Sequence, residues 1–206
     1  VGVLYMTYPV FTVMISWVFF ADVPTGRALL ACGLILVAAV IAGSPASVPI
    51  EHLPTLLLSL TAPFGFGFGI AVLVHRLSRI VPLARIASVS LGSIIGLAPL
   101  IINADPAEVL PEDRSDWILI AGIGLLTALV PQLVYIVCSP VIGASQTAVV
   151  GSIELPTMFA VGFLAFGEAI SVQQAIACVL VLAAIAIIRS RKSRPLSTVL
   201  ATTPKR

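Results

Sequence analysis

Few residues of this chain could do chemistry in an apolar medium, and Glu154 stands out among them, in the run GSIELPTMFAVGFLAFGE at 151–168. A carboxylate there can exchange a proton, orient a polar ligand or accept hydrogen bonds from neighbouring helices. Three-and-four spacing places Thr147, Gly151, Glu154, Thr157 and Met158 on roughly one face of a helix over 144–166. Two readings of Glu154 stand: a proton-coupling or substrate-orienting acid, or a fixed hydrogen-bond hub that partly serves backbone groups freed near Pro156. A second stripe, Gly124, Ala128, Gln132 and Tyr135, runs along a helix over 117–138, with Pro131 beside Gln132. Gln132 would hydrogen-bond a substrate or bridge to another helix. Glu154, Gln132, Tyr135 and Thr157 are therefore the candidates for substrate binding or proton coupling.

Other residues invite a structural reading. Gly65 and Gly69 form a GxxxG pair below Pro63, and Gly92 with Gly96 forms a second small-residue strip. Such strips let helix backbones approach closely; the alternative is that Gly65, Gly67 and Gly69, like Pro156, permit bending during gating. Asp22 and Glu168 close helices and begin turns, where a carboxylate can hold the first amides of the next helix. His52 and His75 lie at span ends without a metal-site partner. Cys32, Cys138 and Cys178 lack metal-ligand spacing and read as small buried hydrophobes. No metal, cofactor or nucleotide-binding motif is present, so ATP drive is unsupported.

The elements that must carry these residues follow from composition. Of 206 residues, 59% are hydrophobic and 10% charged, and the mean hydropathy is +1.15. Soluble domains carry about 25% charged residues, so a chain this poor in charge belongs in a bilayer. Its apolar runs predict seven transmembrane helices, at about 2–20, 26–43, 55–75, 82–103, 117–138, 144–166 and 171–189. In lipid a helix satisfies its own backbone, and a carboxylate at mid-helix costs about 2.5–3.5 kcal/mol. Glu154 and Gln132 should therefore face the bundle or a wet cavity. Trp17 and Trp117 read as interfacial anchors.

Charge sets orientation. The tail after Ile188 holds Arg189, Arg191, Lys192, Arg194, Lys205 and Arg206, and the positive-inside rule places it in the cytoplasm. Counting back puts Arg76, Arg79, Arg85 and Arg27 inside as well. Among eleven basic residues only Arg114 falls outside, beside Asp105, Glu108, Glu112, Asp113 and Asp116. The net charge of +2 thus reflects topology and carries no sign of nucleic-acid binding. With no basic leader before VGVLYM, a signal peptide is not expected.

A repeat is also visible. ADVPTGRALLACGLILVAAVI from Ala21 lies without a gap on GEAISVQQAIACVLVLAAIAI from Gly167. Asp22 falls on Glu168, Ala31 on Ala177, Cys32 on Cys178 and Ala38 on Ala184. Five spans separate the equivalent positions, so the repeat is inverted, a plan common among secondary transporters.

The segment SIELPTMFAVGFLAFGEAISVQQAIACVLVLAAIAI resembles the end of the EamA-type repeat of the drug/metabolite transporter superfamily. Glu154, with Pro156 one place later than the commoner Glu-Pro pair, opens the penultimate helix, and Gly167-Glu168 closes it. The first repeat has Tyr8-Pro9 and Ala21-Asp22 in those places. The resemblance implies an all-α polytopic bundle, the last seven of ten helices in an inverted-repeat transporter truncated at its N-terminus. Its divisions would be the end of the first repeat (1–43, two helices), an extracytoplasmic connection (44–54), the second repeat (55–189, five helices) and a basic cytoplasmic tail (190–206). It also implies a plasma-membrane secondary transporter, not an enzyme, exporting a small metabolite or drug-like compound. The partners would be the lipid bilayer and that substrate, with a homodimer allowed, no nucleic acid and no cofactor. A non-transporting membrane scaffold remains open. An intramembrane enzyme built on Gly143–Gln146 lacks a base near Ser145, because both histidines sit at span ends.

Overall fold

The computed structural model describes residues 2–43, 53–104, 110–111 and 113–188. The basic tail, most of the 44–54 connection, His52 and the acidic residues Asp105, Glu108 and Glu112 lie outside the described residues. Among those described the chain is all-helical: α1 (Gly2–Tyr5), α2 (Tyr8–Phe20), α3 (Gly26–Gly43), α4 (Leu53–Ser59), α5 (Thr61–His75), α6 (Pro82–Asn103), α7 (Arg114–Ile123), α8 (Val130–Ile142), α9 (Ala144–Gly151), α10 (Glu154–Phe166) and α11 (Val172–Ile187). A π-helical segment, Gly124–Leu129, joins α7 to α8. Five stretches are long and apolar enough to cross a membrane: Gly26–Gly43, Leu57–His75, Pro82–Asn103, Arg114–Ile142 and Ala144–Phe166. Tyr8–Phe20 and Val172–Ile187 are shorter and apolar, which accounts for all seven predicted spans.

Prolines explain why several spans are not plain α-helices. A proline has no N–H, and its ring presses on the carbonyl four residues back. Pro156 does this to Ser152, and the chain answers with three-residue closures: Ile153 N donates to Val150 O (3.1 Å) and Leu155 N to Ser152 O (3.1 Å). The span over 144–166 is therefore two helices, and α10 restarts at Glu154. Pro9 does the same in the first repeat, where Thr7 N donates to Leu4 O (3.1 Å) and splits α1 from α2. Before Pro131 the helix widens instead, and Val130 N reaches Leu125 O, five residues back.

The repeat holds in three dimensions at one offset, 168 − 22 = 146 residues. Met6–Thr7 and Ser152–Ile153, 146 apart, are both turns between helices. Ala21 (φ 53°) and Gly167 (φ 69°) both end a helix in the left-handed region. The next amides match too: Asp22 N donates to Ser16 O (3.0 Å) and Glu168 N to Gly162 O (3.1 Å). Thr25 Oγ1 accepts from Ala28 N (3.2 Å), as Ser171 Oγ accepts from Gln174 N (3.2 Å), so α3 and α11 begin alike. Capping thus falls to Thr25 and Ser171, since their hydroxyls sit at the N-cap and the two acids precede it by three residues.

The helices group into two compact units. One contains α1–α5 and α9–α11. Its centre is the pair α3 and α11, packed along four fully buried alanines. Ala31, Cys32 and Ile35, near the start of α3, cluster with Ala184 near the end of α11, while Ala38 clusters with Ala177 and Val181. The helices therefore run antiparallel, and the grouping of Ala31 with Ala184 recurs between their counterparts Ala177 and Ala38, as a two-fold relation requires. Small side chains spaced by seven keep the seam narrow.

In the same unit α2 packs on α5 at Gly67, where an added Cβ would lie 2.9 Å from Thr12 N and 3.0 Å from Tyr8 O. Edge-to-face rings flank the contact, Tyr8 on Phe66 (4.9 Å) and Phe11 on Phe64 (5.8 Å). Gly65, Gly69, Gly92 and Gly96 have no described atom within 4 Å of an added Cβ. The close approach thus falls on the glycine between the GxxxG pair, because Gly67 is on the buried face of α5. Cys32 is buried, Cys178 half-buried and Cys138 exposed; the last corrects the reading of all three as buried, since Cys138 lies off the packed face of α8. The second unit holds α6, α7, the π-helical segment and α8.

Three outcomes are expected. Gly67→Ala should destabilise the protein by about 1–3 kcal/mol by overpacking backbone against backbone, with Gly65→Ala as a near-neutral control, both measured by unfolding in mixed micelles. Ala21→Gly should raise stability by roughly 1 kcal/mol in the same assay by relieving left-handed alanine. Cysteines introduced at Ala38 and Ala177 should cross-link; efficient linkage of Ala38 to Ala184 instead would mean that α3 and α11 are parallel.

Candidate functional site

Glu154 is the first residue of α10, near the middle of the 144–166 span. The proline break puts it there: α10 starts afresh at Glu154, and an acid in a helix's first turn is favoured by the free amides there. The expected single stripe is divided at this break. Thr147 is buried, its Oγ1 donating to Gly143 O (2.8 Å), whereas Glu154, Thr157 and Met158 are exposed within their unit. Thr157 Oγ1 donates to Ile153 O (2.8 Å), so threonine and backbone, and not the carboxylate, serve the groups around Pro156. Among the described residues no hydrogen bond or ion pair holds the Glu154 carboxylate. Pro156 is half-buried and Leu155 buried, which fixes one side of the turn that presents the acid.

Gln132 and Tyr135 lie together on α8 in the other unit, just after the π-helical segment. Both are half-buried, and the Gln132 Nε2 is shielded from water without a hydrogen-bond partner. A π-helical turn shifts the register of the side chains that follow it, a device frequent at functional sites. The structure thus divides the four candidates into Glu154 with Thr157 in one unit and Gln132 with Tyr135 in the other.

Two groups escaped sequence reasoning. His75 Nε2 lies 3.6 Å from Asp22 Oδ2, and its ring stacks on Phe20 at 4.8 Å. The pairing joins the ends of α2 and α5, which sequence spacing alone does not bring together. Arg85, assigned from charge to a cytoplasmic connection, is in the first turn of α6 and only 1% exposed. The helix start at Pro82 was the available signal, since proline suits the first helical position.

A cavity of about 760 Å³ opens in the first unit, lined by Asp22, Thr25, Arg27, Gly143, Ser145 and Gln146 among others. Glu154 is not among its lining residues. The cavity lies where α3 and α9 begin, and Gly143 (φ 95°) makes the turn that frees the start of α9. Among the described residues no histidine lines the cavity beside Ser145. The described residues contain no group of three or more His, Cys, Asp or Glu placed to hold a metal ion.

Comparison with known proteins bears on the chain as a whole. No curated protein and no solved structure matches it. The sequence model of the EamA-like transporter family matches residues 53–190, well over half of the chain, from α4 to the end of α11. With its apolar helices of membrane-spanning length, the chain is a multi-pass membrane protein and belongs to the EamA-like transporter family.

Proposed function

We propose that the chain forms part of a secondary transporter of the cell membrane, which exports a small metabolite or drug-like compound by alternating access. The observation that carries the reading is the two-fold relation inside the first unit. Helix break, left-handed cap, following amide and N-cap recur at one offset, and α3 and α11 pack antiparallel. Two like-built halves of opposite direction can exchange conformations, which is how one site comes to face each side of a membrane in turn. Helix breaks at mid-span supply the irregular backbone that such sites use. The C-terminus is cytoplasmic on this reading, the partners are the bilayer and the cargo, and a homodimer remains compatible with it.

Glu154 is the proton-coupling residue of this proposal. It begins a helix at mid-span, and no described neighbour pairs with it, so its proton can answer to a wet or dry surrounding as access alternates. Gln132, Tyr135 and Thr157 orient the cargo. A scaffold role without transport predicts no flux at all.

The test is flux in vesicles reconstituted with the full-length protein across a pH series. Wild type should transport a cargo found by panel screening, with a rate that depends on pH. Glu154→Gln should insert and fold normally yet show a flat pH profile, and Glu154→Asp should keep part of the slope. An unchanged profile in Glu154→Gln would remove the proton-coupling role, and absent flux from wild type across the panel would favour the scaffold.

A further inference from the structure

Arg85 is the largest fully buried side chain among the described residues, at 1% exposure, and one of its contacts has a clear local cause. Pro140 lies inside α8 and has no N–H to give the carbonyl of Ile136, four residues back. Arg85 Nη1 takes that place, donating to Ile136 O at 2.8 Å across from α6. This bond ties α6 to α8 and mends the proline gap, but it uses one face of the guanidinium. Nε and Nη2, the fork that grips an oxyanion in bidentate fashion, are buried without any hydrogen-bond partner. Among the described residues no carboxylate pairs with Arg85.

A buried guanidinium without a counter-charge is costly, and it stays charged at any physiological pH. Further unused groups lie on the α8 face that Arg85 meets. Ser139 is 1% exposed with an unpartnered Oγ, three residues after Ile136, and Gln132, four residues before it, has the unpartnered Nε2. A cation with a free fork on α6, and a free hydroxyl and a free amide on α8, make a set of donors that lacks an acceptor.

We propose that Arg85, with Ser139 and Gln132, forms an oxyanion-binding site within the α6–α8 unit, for the carboxylate or phosphate of an organic anion or a lipid headgroup. Joined to the transport reading, on which this clause rests, a soluble anion held there is the cargo. Binding is measured without transport, so the two proposals can fail separately.

The experiment is thermal unfolding of the full-length protein in neutral detergent, titrated with benzoate, with inorganic phosphate and with phosphatidylglycerol. Sodium chloride at equal ionic strength and phosphatidylcholine are the controls. Wild type should be stabilised in a saturable way by at least one of the three oxyanions and not by the controls. Arg85→Lys keeps a charge and a donor for Ile136 O, and should bind about 10- to 100-fold more weakly. Ser139→Ala should weaken binding by several-fold while leaving unfolding without ligand nearly unchanged. Response to benzoate or phosphate identifies a soluble anion, and response to phosphatidylglycerol alone identifies a headgroup; either supports the site. Arg85→Gln that unfolds at lower temperature yet keeps the wild-type anion response would show a purely structural arginine. Wild type indifferent to all three oxyanions would overturn the site whatever the variants do.

Discussion

In hydrocarbon every backbone N–H and C=O must find its partner within the protein, and the irregularities of this chain follow from that constraint. Proline violates it locally, and the breaks at four prolines are answered in three ways. At Pro156 and Pro9 the chain tightens into three-residue turns, and at Pro131 it widens into a π-helical segment. At Pro140 a side chain from another helix fills the gap. Hydroxyls also bond back along their own helices, as Thr12 Oγ1 does to Tyr8 O and Thr147 Oγ1 to Gly143 O. These repairs decide where helices start and stop, and so which residues stand at the breaks. Glu154 opens a helix because Pro156 follows it.

The same economy appears in the seam between α3 and α11. Between helices in lipid, association rests on close packing because no water is expelled. Four alanines spaced by seven allow it, and exchanging each for its counterpart leaves the contact the same. A pair of equivalent segments that meet antiparallel through such a seam is related by a two-fold exchange. Gly67 performs the corresponding task between α2 and α5, where even a methyl group would strike backbone.

Arg85 shows how a charge can satisfy one rule and escape through another. Its place near Arg76 and Arg79 suits a cytoplasmic basic cluster. Yet two of them have different surroundings: Arg76 lies 5.9 Å over the ring of Phe20, and Arg85 is buried against a proline-freed carbonyl. A count of basic residues does not say which cation is solvated.

The sequence by itself determined the membrane class, the seven apolar segments and the repeat register, because these are read from composition and spacing along one chain. The offset that lays Asp22 on Glu168 also aligns breaks, caps and hydrogen bonds that no identity between residues revealed. Glu154 was legible as an acid where lipid disfavours one, and Pro156 as a disturbance beside it. Only the tertiary structure decided that 144–166 is two helices, that Gly67 and not Gly65 or Gly69 makes the close contact, and that Arg85 reaches Ile136 from 51 residues away. Local periodicity specifies which side of a helix is apolar; which neighbour that side meets, and which buried donor goes without an acceptor, depends on segments far apart in the chain being brought together.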